Sequence, residues 1–320
     1  MTPTFSIAIE WENARFAELA RTRRMLRELR RQLIELSPPP SAPEISFLYD
    51  RRSIDGEMVE RVVAEEFRPG ETPAVTRIVP TDRLTYYRQK NLGAAEAHGD
   101  IVIFLDCDVV PEPGWLAAML EGFKDPDVAA VGGETYVELA GVCSRAFALF
   151  WFFNLRDDAE ALTPASFFHA NNVAFRRSVF MGRGFPDLPI YRGQCTLLGE
   201  QLRAEGLGLY RQTAARVAHP IPLSLGYFIA RALHNGRDTV IVEETLRRYD
   251  RRRWRTLRRG YRARLAHAFE QVKRHGKDVG LTGPGAVAAL AVAVSYFTLQ
   301  AIGEAVTLVN PRAIARLAPL

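Results

Sequence analysis

The feature that most constrains the fold is the run of residues 100–108, which reads Asp-Ile-Val-Ile-Phe-Leu-Asp-Cys-Asp. Its five apolar residues, Ile101 to Leu105, are typical of a strand that is buried on both faces of a sheet. Two acids, Asp106 and Asp108, follow directly where this strand ends. Ligands of open α/β sheets bind outside the carboxyl ends of the strands. The run therefore predicts an α/β sheet with a polar site at this strand end.

The spacing of the two acids indicates a site for a divalent cation. Carboxylate oxygens are hard ligands, and Mg²⁺ or Mn²⁺ is usually held by one or two carboxylates together with substrate phosphates. The alternative is a solvated strand end that turns at Pro111. Acids at strand ends are common, so the pattern becomes specific only through the segments around it.

Four other segments accompany this strand in a characteristic order. Residues 89–100 read Gln-Lys-Asn-Leu-Gly-Ala-Ala-Glu-Ala-His-Gly-Asp, and residues 50–56 form a turn after an apolar run. Downstream, residues 129–133 read Ala-Ala-Val-Gly-Gly, and residues 170–177 read Ala-Asn-Asn-Val-Ala-Phe-Arg-Arg. Over residues 4 to 222 the chain resembles the nucleotide-sugar-dependent family 2 glycosyltransferases in the order and spacing of these motifs.

The resemblance implies a fold, a domain organisation and an activity. The expected fold is of the GT-A type, an α/β fold with a Rossmann-like mixed sheet flanked by helices. Residues 1–222 are expected to form the transferase domain, with a nucleotide-binding half at 1–110 and an acceptor half at 111–222. The implied activity is inverting, metal-dependent transfer of a sugar from a nucleoside-diphosphate sugar to a glycan or lipid-linked acceptor, with Mn²⁺ or Mg²⁺ as cofactor.

The resemblance also assigns roles to residues of the donor site. Asp108 is the expected metal ligand, and His219 completes the metal shell, although a lone histidine is more often structural. Asp106 is expected near the ribose and sugar. The remaining donor-site residues are Glu10 beside the base, Asp50 on the uracil N3 proton, Lys90 on phosphate, and Asn91. The alternative for Asp50 is a turn acid whose side chain bonds its own backbone.

The chain departs from the family at the catalytic base. Gln194 and Cys195 stand where the family has a pair of acids, and neither amide nor ordinary thiol is a suitable base for an alcohol. Asp187 lies upstream in a loop that resembles the acceptor-site turn, and it is the favoured base. Glu200 is the other nearby acid, but it lies more than a helical turn past Cys195. Alternatively, Gln194 only positions the acceptor.

The loss of both acids leaves a second function open. The chain could be a catalytically impaired nucleotide-sugar-binding or scaffold protein at the membrane. The intact pair of Asp106 and Asp108 and the segment 170–177 favour an active transferase.

Residues 223–320 are predicted to form a basic and apolar helical region associated with the membrane. Between Arg247 and Lys277 there are 13 Lys/Arg and 2 acids, a local charge of +11. The net charge of the whole chain is +5, so the remaining residues together carry a charge of −6. No nucleic-acid-binding motif surrounds this cluster, so nucleic acid is not expected as a partner. An apolar run at 285–309 follows, and a basic stretch beside an apolar one suits the anionic cytoplasmic leaflet. A membrane span, an in-plane helix and a buried core helix all remain open.

Composition, the cysteines and two helical segments give further expectations about the fold and the cellular compartment. The chain has 320 residues, 48% hydrophobic and 25% charged, which is typical of globular proteins. Its three cysteines fit no zinc or disulfide spacing, which indicates a reducing compartment, and no cleavable signal peptide is expected. An Arg-rich helix packed on the sheet is predicted over 14–36, and the aromatic cluster at 144–155 is expected in a core or on a membrane-contacting surface.

Overall fold

The computed structural model describes residues 3–15, 18–36, 41–68, 70–156, 158–222, 224–247 and 253–318. The chain divides into two units that alternate along the sequence. Unit 1 comprises Met1–Thr135, Asp157–Asp187 and Gln194–His219, and unit 2 comprises Tyr136–Arg156, Leu188–Gly193 and Pro220–Leu320. The domain limits expected from the sequence stay a prediction.

Unit 1 contains a mixed sheet whose first half is parallel. Its strands are β1 (Phe5–Glu10), β2 (Glu44–Asp50), β3 (Val75–Thr81) and β4 (Ile101–Asp106), in the spatial order β3-β2-β1-β4. The crossover helices are α1 (Leu19–Glu35), α2 (Gly56–Glu66) and α3 (Tyr86–Glu96). Strands β1 and β4 are buried along their whole length, as expected for apolar runs covered by helices on both faces.

The second half of the sheet is antiparallel. The strands β5 (Val110–Pro111), β6 (Val128–Val137), β7 (Leu162–Pro164), β8 (Asn172–Arg176) and β9 (Gly208–His219) extend the order as β4-β8-β6-β9-β5, with β7 also on β9. The helices of this part of unit 1 are α4 (Trp115–Glu121), α6 (Arg177–Met181) and α7 (Gln194–Ala204). The α/β class, with a mixed sheet flanked by helices, is confirmed.

The predicted N-terminal helix begins later than expected. Ala14 belongs to a short 3-10 helix, Glu12–Arg15, and the α-helix α1 starts at Leu19. The Glu10 carboxylate accepts hydrogen bonds from the Glu12 amide and from the Asn13 side chain, at 2.9 and 3.1 Å. These contacts hold the chain in a tight turn after β1, so a continuous helix from residue 14 was wrong.

Unit 2 is helical in the residues that the structure describes. Its helices are α5 (Val142–Phe150), α8 (Leu225–Thr245), α9 (Arg253–His275), α10 (Pro284–Val309) and α11 (Ala313–Leu317). The aromatic cluster predicted around Phe147 and Trp151 forms the core, where these rings pack on Tyr296 of α10. Gly236 and Gly303 let α8 and α10 approach closely, because a Cβ at either position would collide with the backbone of the other helix.

Among the described residues, α10 is the one helix that is long and apolar enough to cross a membrane. Its 26 residues correspond to about 39 Å at helical rise. Only 28% of its most apolar window is buried inside the protein. A core helix of a soluble protein is mostly buried, and α10 differs from that type in this respect.

Candidate active site

A buried polar network lies at the carboxyl edge of the parallel strands. The side chains of Asp106 and Lys90 are 1% and 0% exposed, and Lys90 Nζ lies 2.7 Å from Asp106 Oδ1. The Tyr86 hydroxyl lies 2.8 and 2.9 Å from the two Asp106 oxygens, and the Lys90 ammonium is 4.7 Å from the centroid of the same ring. Charge pairing, hydrogen bonding and packing together hold Asp106 in one orientation.

Asn13 joins this network to β1. Its amide donates to Glu10 Oε1 at 3.1 Å and to Asp106 Oδ2 at 2.9 Å. The parallel register pairs Glu10 with Asp106, which brings two acids 96 residues apart to the same edge. Burial raises the pKa of Glu10 well above its ordinary value, and the neighbouring Asp106 raises it further.

Asp108 and His219 lie next to two paired strand segments. Strand β5 pairs with β9 so that Val110 lies opposite Ala218, which places residue 109 opposite His219. Arg21 of α1 donates to the Asp108 carbonyl at 2.6 Å and to the Ala218 carbonyl at 2.7 Å. The two residues predicted as metal ligands therefore belong to adjacent backbone segments at the strand ends.

The donor set fits a divalent cation that takes further ligands from its substrate. Among the described residues, no three His, Cys, Asp or Glu side chains form a ready metal centre. Asp106 accepts bonds from Lys90, Tyr86 and Asn13, and Asp108 and His219 stay the residues that the sequence predicts as cation ligands. One carboxylate and one imidazole suit Mn²⁺ completed by phosphate oxygens and water.

Asp50 ends β2 and caps the turn that follows. Its Oδ1 accepts the Arg52 amide at 2.9 Å, and its carbonyl accepts the amides of Ser53 and Ile54 at 3.0 Å. This is the turn geometry that the sequence offered as the alternative for Asp50. Its contact with a nucleobase stays a prediction.

Asn91 fixes the loop that carries Asp187. Its side chain donates to the Phe185 carbonyl and accepts from the Phe185 amide, both at 2.9 Å. Gly184, the residue before Phe185, has a φ of 67°, a backbone conformation that favours glycine. Asp187 then pairs with Arg88 through both oxygens, and its side chain is 59% exposed. Hydrogen bonding to Arg88 lowers the pKa of Asp187 below its ordinary value.

Gln194 and Cys195, which replace the family's acids, open α7. Gln194 is buried, and the Tyr87 hydroxyl lies 3.7 Å from Cys195 Sγ. Tyr87 also packs on Phe185, so the start of α7, α3 and the loop before Asp187 share one neighbourhood. Glu200 lies in the body of α7 and pairs with Arg203 on the same helix.

Sequence reasoning missed several residues that organise the site, among them Asn13, Arg21 and Tyr86. Asn13 and Arg21 lie in or beside the Arg-rich segment that was interpreted as one helix, and Tyr86 begins α3 four residues before Lys90. The contacts that join them to Asp106 and Asp108 are with residues more than 15 positions away in sequence, so no local pattern marked them.

The two downstream motifs meet at Asn172. Its side chain accepts from Trp115 Nε1 at 2.8 Å and donates to the carbonyls of Glu134 and Ala215 at 3.1 and 3.0 Å. Gly133 lies against this amide, where a Cβ would collide with it. The segments 129–133 and 170–177, which were recognised separately, therefore form one buried polar layer.

Comparison with known protein families identifies the family of this chain. Residues 16–184, more than half of the chain, match the profile of glycosyl transferase family 2. The chain belongs to this family. The match includes β2, α3, the Asp106 and Asp108 strand end, and the Asn172 segment.

Curated relatives of this family 2 chain match over part of their length. A pre-mycofactocin glycosyltransferase of Mycobacterium tuberculosis is 31% identical over 152 residues, which are 46% of this chain and 32% of the relative. A glucosyl-dolichyl phosphate glucuronosyltransferase of Haloferax volcanii is 26% identical over 141 residues, 42% of this chain and 44% of the relative. The chain thus spans less than half the length of these relatives.

Solved structures share the fold. A mannosyltransferase from Pyrobaculum calidifontis, in complex with GDP-Man and Mn²⁺, has a TM-score of 0.58 at 18% identity, over 97% of this chain and 88% of that one. GalNAc-T7 with UDP, GalNAc and Mn²⁺ has a TM-score of 0.54 at 15% identity, over 75% of this chain and 51% of that one. The GT-A-type fold expected from the sequence is confirmed.

Proposed function

We propose that this family 2 chain transfers a sugar, with inversion, from a nucleoside-diphosphate sugar to a glycan or lipid-linked acceptor. The observation that carries the proposal is the parallel register of β1 and β4. It places Glu10 beside Asp106 at the carboxyl ends of these strands, and Asp108 comes two residues after Asp106. The printed descriptions of the two solved relatives name nucleotide ligands and Mn²⁺, which supports a nucleotide donor and a divalent cation, Mn²⁺ or Mg²⁺.

Each side of the donor site has a distinct task in this proposal. Asp106, held by Lys90, Tyr86 and Asn13, orients the sugar and ribose with little freedom of movement. Asp108 and His219 are the residues that would hold the cation. When bound, the cation supplies positive charge toward the diphosphate leaving group.

On the acceptor side, Asp187 is proposed to take the proton of the attacking hydroxyl. Its exposed carboxylate and the backbone anchor that Asn91 gives its loop support this role. The Arg88 ion pair lowers the pKa of Asp187, so the carboxylate is ionised at neutral pH but is a weaker base. Gln194 is proposed to position the acceptor from the start of α7.

The acceptor is proposed to be lipid-linked, at the cytoplasmic face of a membrane. The Haloferax volcanii relative is described as acting on a glucosyl-dolichyl phosphate, which supports a lipid-linked acceptor. In unit 2, α9 carries eight Lys/Arg together with the exposed side chains of Trp254 and Phe269. A basic helix with exposed aromatic residues suits an anionic interface.

The packing of α9 on α10 favours an in-plane position over a membrane span. Arg264 of α9 pairs with Glu304 of α10 at 2.7 Å, and the Tyr261 hydroxyl lies 3.1 Å from Thr298 Oγ1. If α10 crossed the hydrocarbon core in this arrangement, the arginines of α9 would enter it too, at a large energetic penalty. An α10 that lies in the interface avoids this penalty.

Donor binding tests the proposal most directly. Thermal midpoints of the full chain are measured with a panel of nucleoside diphosphates and nucleotide sugars, with and without Mn²⁺ or Mg²⁺. A ligand that binds the native state raises the midpoint. Asp108→Ala is expected to abolish the metal-dependent increase, while its midpoint without ligand stays that of the parent. Asp127→Ala, at an exposed position of unit 1, is the control and is expected to behave as the parent.

Turnover then separates the two functions that the sequence left open. Release of the nucleoside diphosphate from a bound donor in the presence of metal supports the transferase. Metal-dependent binding without any turnover supports a nucleotide-sugar-binding protein instead. Metal-dependent binding that survives in Asp108→Ala contradicts the assignment of the metal site.

A further inference from the structure

Unit 2 contains a group of charged side chains that the donor site does not use. It lies between α8 and the segment 188–193. We call it the arginine cluster; it consists of Tyr191, Arg192, Arg231, His234, Arg237 and Asp238. Asp238 Oδ2 accepts the amides of Tyr191 and Arg192 at 3.0 and 2.7 Å, and the Arg237 guanidinium donates to the Pro189 carbonyl.

Arg231 is the unusual member of the cluster. It is 4% exposed, and its guanidinium lies 5.1, 5.7 and 5.9 Å from the ring centroids of Tyr191, Phe152 and Trp151. Its Nη1 is buried with no hydrogen-bond partner, and the Asp238 carboxylate is a charged neighbour of Arg231. Arginines are almost never buried unless they are paired, so this guanidinium is prepared for an acceptor from outside the chain.

The cluster carries more positive than negative charge. The cluster contains three guanidinium groups, those of Arg192, Arg231 and Arg237, and one carboxylate, that of Asp238, whose Oδ1 lies 3.5 Å from Arg237. His234 adds no positive charge, because burial lowers its pKa. Its Nε2 bonds the Ala318 carbonyl at 2.6 Å, which leaves Nδ1 to accept from Arg237. The surplus of two positive charges matches a phosphate group.

The cluster borders an exposed aromatic side chain, and one of its segments is continuous in sequence with α7. Phe152, whose ring centroid lies 5.7 Å from the Arg231 guanidinium, is 43% exposed, so a neighbour of that guanidinium reaches the protein surface. The segment 188–193 continues directly into Gln194, the first residue of α7. Gly193 has a φ of 116°, and a Cβ there would collide with Val242 of α8, so the segment is closely fitted to α8.

We propose that the arginine cluster binds the phosphate group of a phosphate-ester acceptor, with Arg231 as its main ligand. The proposal rests on the proposed transferase function and adds the chemical class of the acceptor. The planar fork of arginine matches phosphate with two parallel hydrogen bonds, and aromatic faces on the other side of the guanidinium keep the fork in position. A lipid phosphate and a soluble sugar phosphate carry the same group.

Binding of three probes to the full chain tests the proposal and separates these sources. The probes are dodecyl phosphate below its micellar concentration, glucose 1-phosphate and inorganic phosphate, and dissociation constants are measured by calorimetry. At least one ester is expected to bind the parent. Arg231→Met, which keeps the aliphatic volume, is expected to weaken binding at least about tenfold, since a charge-assisted hydrogen bond contributes about 1.5–3 kcal/mol.

Matched variants keep the result specific. Arg77→Met removes an exposed arginine of β3 and is expected to bind the ester as the parent does. Arg231→Lys keeps the charge without the fork and is expected to bind more weakly than the parent; it carries the test if Arg231→Met does not fold. A preference for dodecyl phosphate identifies a lipid acceptor, and equal binding of glucose 1-phosphate identifies a soluble one.

Donor binding distinguishes failure of this inference from failure of the function. Arg231→Met is expected to keep the metal-dependent midpoint increase with the nucleotide donor. If the parent binds donor but no ester, or if the Arg231 variants bind esters as the parent does, the arginine cluster is not a phosphate site and the transferase stands. If the parent binds esters but no nucleotide, the proposed function fails and the anion site remains.

Discussion

At the scale of single residues, burial separates the two ion pairs of α3. Lys90 and Asp106 form a pair that solvent does not reach, whereas Arg88 and Asp187 form a pair in which both side chains are about half exposed. Removing one partner of a buried pair leaves an uncompensated charge in a medium of low polarity, whereas water replaces the partner of an exposed pair. The two pairs therefore contribute very differently to stability.

Replacing Lys90 is expected to destabilise the protein far more than replacing Arg88. Lys90→Met leaves Asp106 buried without its cation and should lower the free energy of unfolding by about 3–5 kcal/mol. The matched variant Arg88→Met should change it little, since the pair is screened by solvent. Urea unfolding of both variants measures the difference. Similar values for the two variants would contradict the buried network.

Asp187 is expected to control the acid limb of the rate profile. If it is the base, Asp187→Asn lowers transfer by about 10²–10⁴-fold and leaves donor binding intact. Arg88 lowers the pKa of Asp187, so Arg88→Gln should raise that pKa and move the acid limb of the profile to higher pH. The profile of kcat/KM against pH for parent and variant measures the shift. An unmoved limb in Arg88→Gln, together with parent-like transfer by Asp187→Asn, places the base elsewhere.

At the scale of elements, one carboxylate ties α8 to the segment that precedes α7. Asp238 accepts two backbone amides of that segment and has Arg237 and Arg231 as charged neighbours. Burial raises the pKa of Asp238 from 3.8 to about 6 even in the presence of these cations. The native state therefore holds the Asp238 proton to higher pH than the unfolded chain does.

This difference in proton binding predicts a pH-dependent contribution to stability. Below pH 3.8 both states hold the proton, and between 3.8 and about 6 only the native state does, so stability falls as pH rises through that window. The free energy of unfolding of the parent, relative to Asp238→Asn, should fall by roughly 3 kcal/mol from acid to neutral pH. Chemical denaturation of both proteins along a pH series measures it; a constant difference between them would exclude the raised pKa.

At the scale of the whole molecule, charge and apolar surface are concentrated in one region of the sequence. Residues 247–277 carry a local charge of +11 in a chain whose remaining residues are net acidic. The neighbouring α10 exposes apolar side chains, among them Val287, Val294 and Ile302. Association with an anionic membrane surface combines both features, with apolar burial and charge attraction as separate contributions.

The apolar contribution is tested by three substitutions on α10. Full-length protein with Val287→Ser, Val294→Ser and Ile302→Ser should partition at least about tenfold less onto anionic vesicles, because burying each such side chain contributes about 1.5–3 kcal/mol. Val75→Ser, at an exposed position of β3, is the control and should bind as the parent. Vesicle flotation measures the bound fraction. Parent-like binding by the triple variant would contradict insertion of this face.

The electrostatic contribution is tested on α9. Arg258→Gln, Arg259→Gln and Arg262→Gln remove three exposed charges and should weaken vesicle binding at low salt. The effect should diminish at physiological ionic strength, where charges are screened over about 8 Å. Flotation at two salt concentrations separates this contribution from that of α10. Equal loss at both concentrations would indicate that the arginines act through packing.

The sequence alone determined the local elements and the family. The apolar run before Asp106, the strand at 44–50 and the apolar helix at 284–309 are signals carried by adjacent residues, and the structure has them nearly where they were predicted. The predicted start of α1 was wrong. Glu10 accepts hydrogen bonds from Glu12 and Asn13, and these bonds form a turn between β1 and the helix. Hydrophobic periodicity carries no information about such polar contacts.

Only the tertiary structure decided which polar groups meet. Strand register placed Glu10 beside Asp106, and Arg21 joined the backbones of Asp108 and Ala218, which are 110 residues apart. The packing of α8 on the segment 188–193 buried Arg231 among aromatic rings, although nothing in the sequence distinguishes it from the other arginines. Periodicity and motifs report on neighbours along the chain, whereas hydrogen-bond partners and burial depend on register and packing between distant segments.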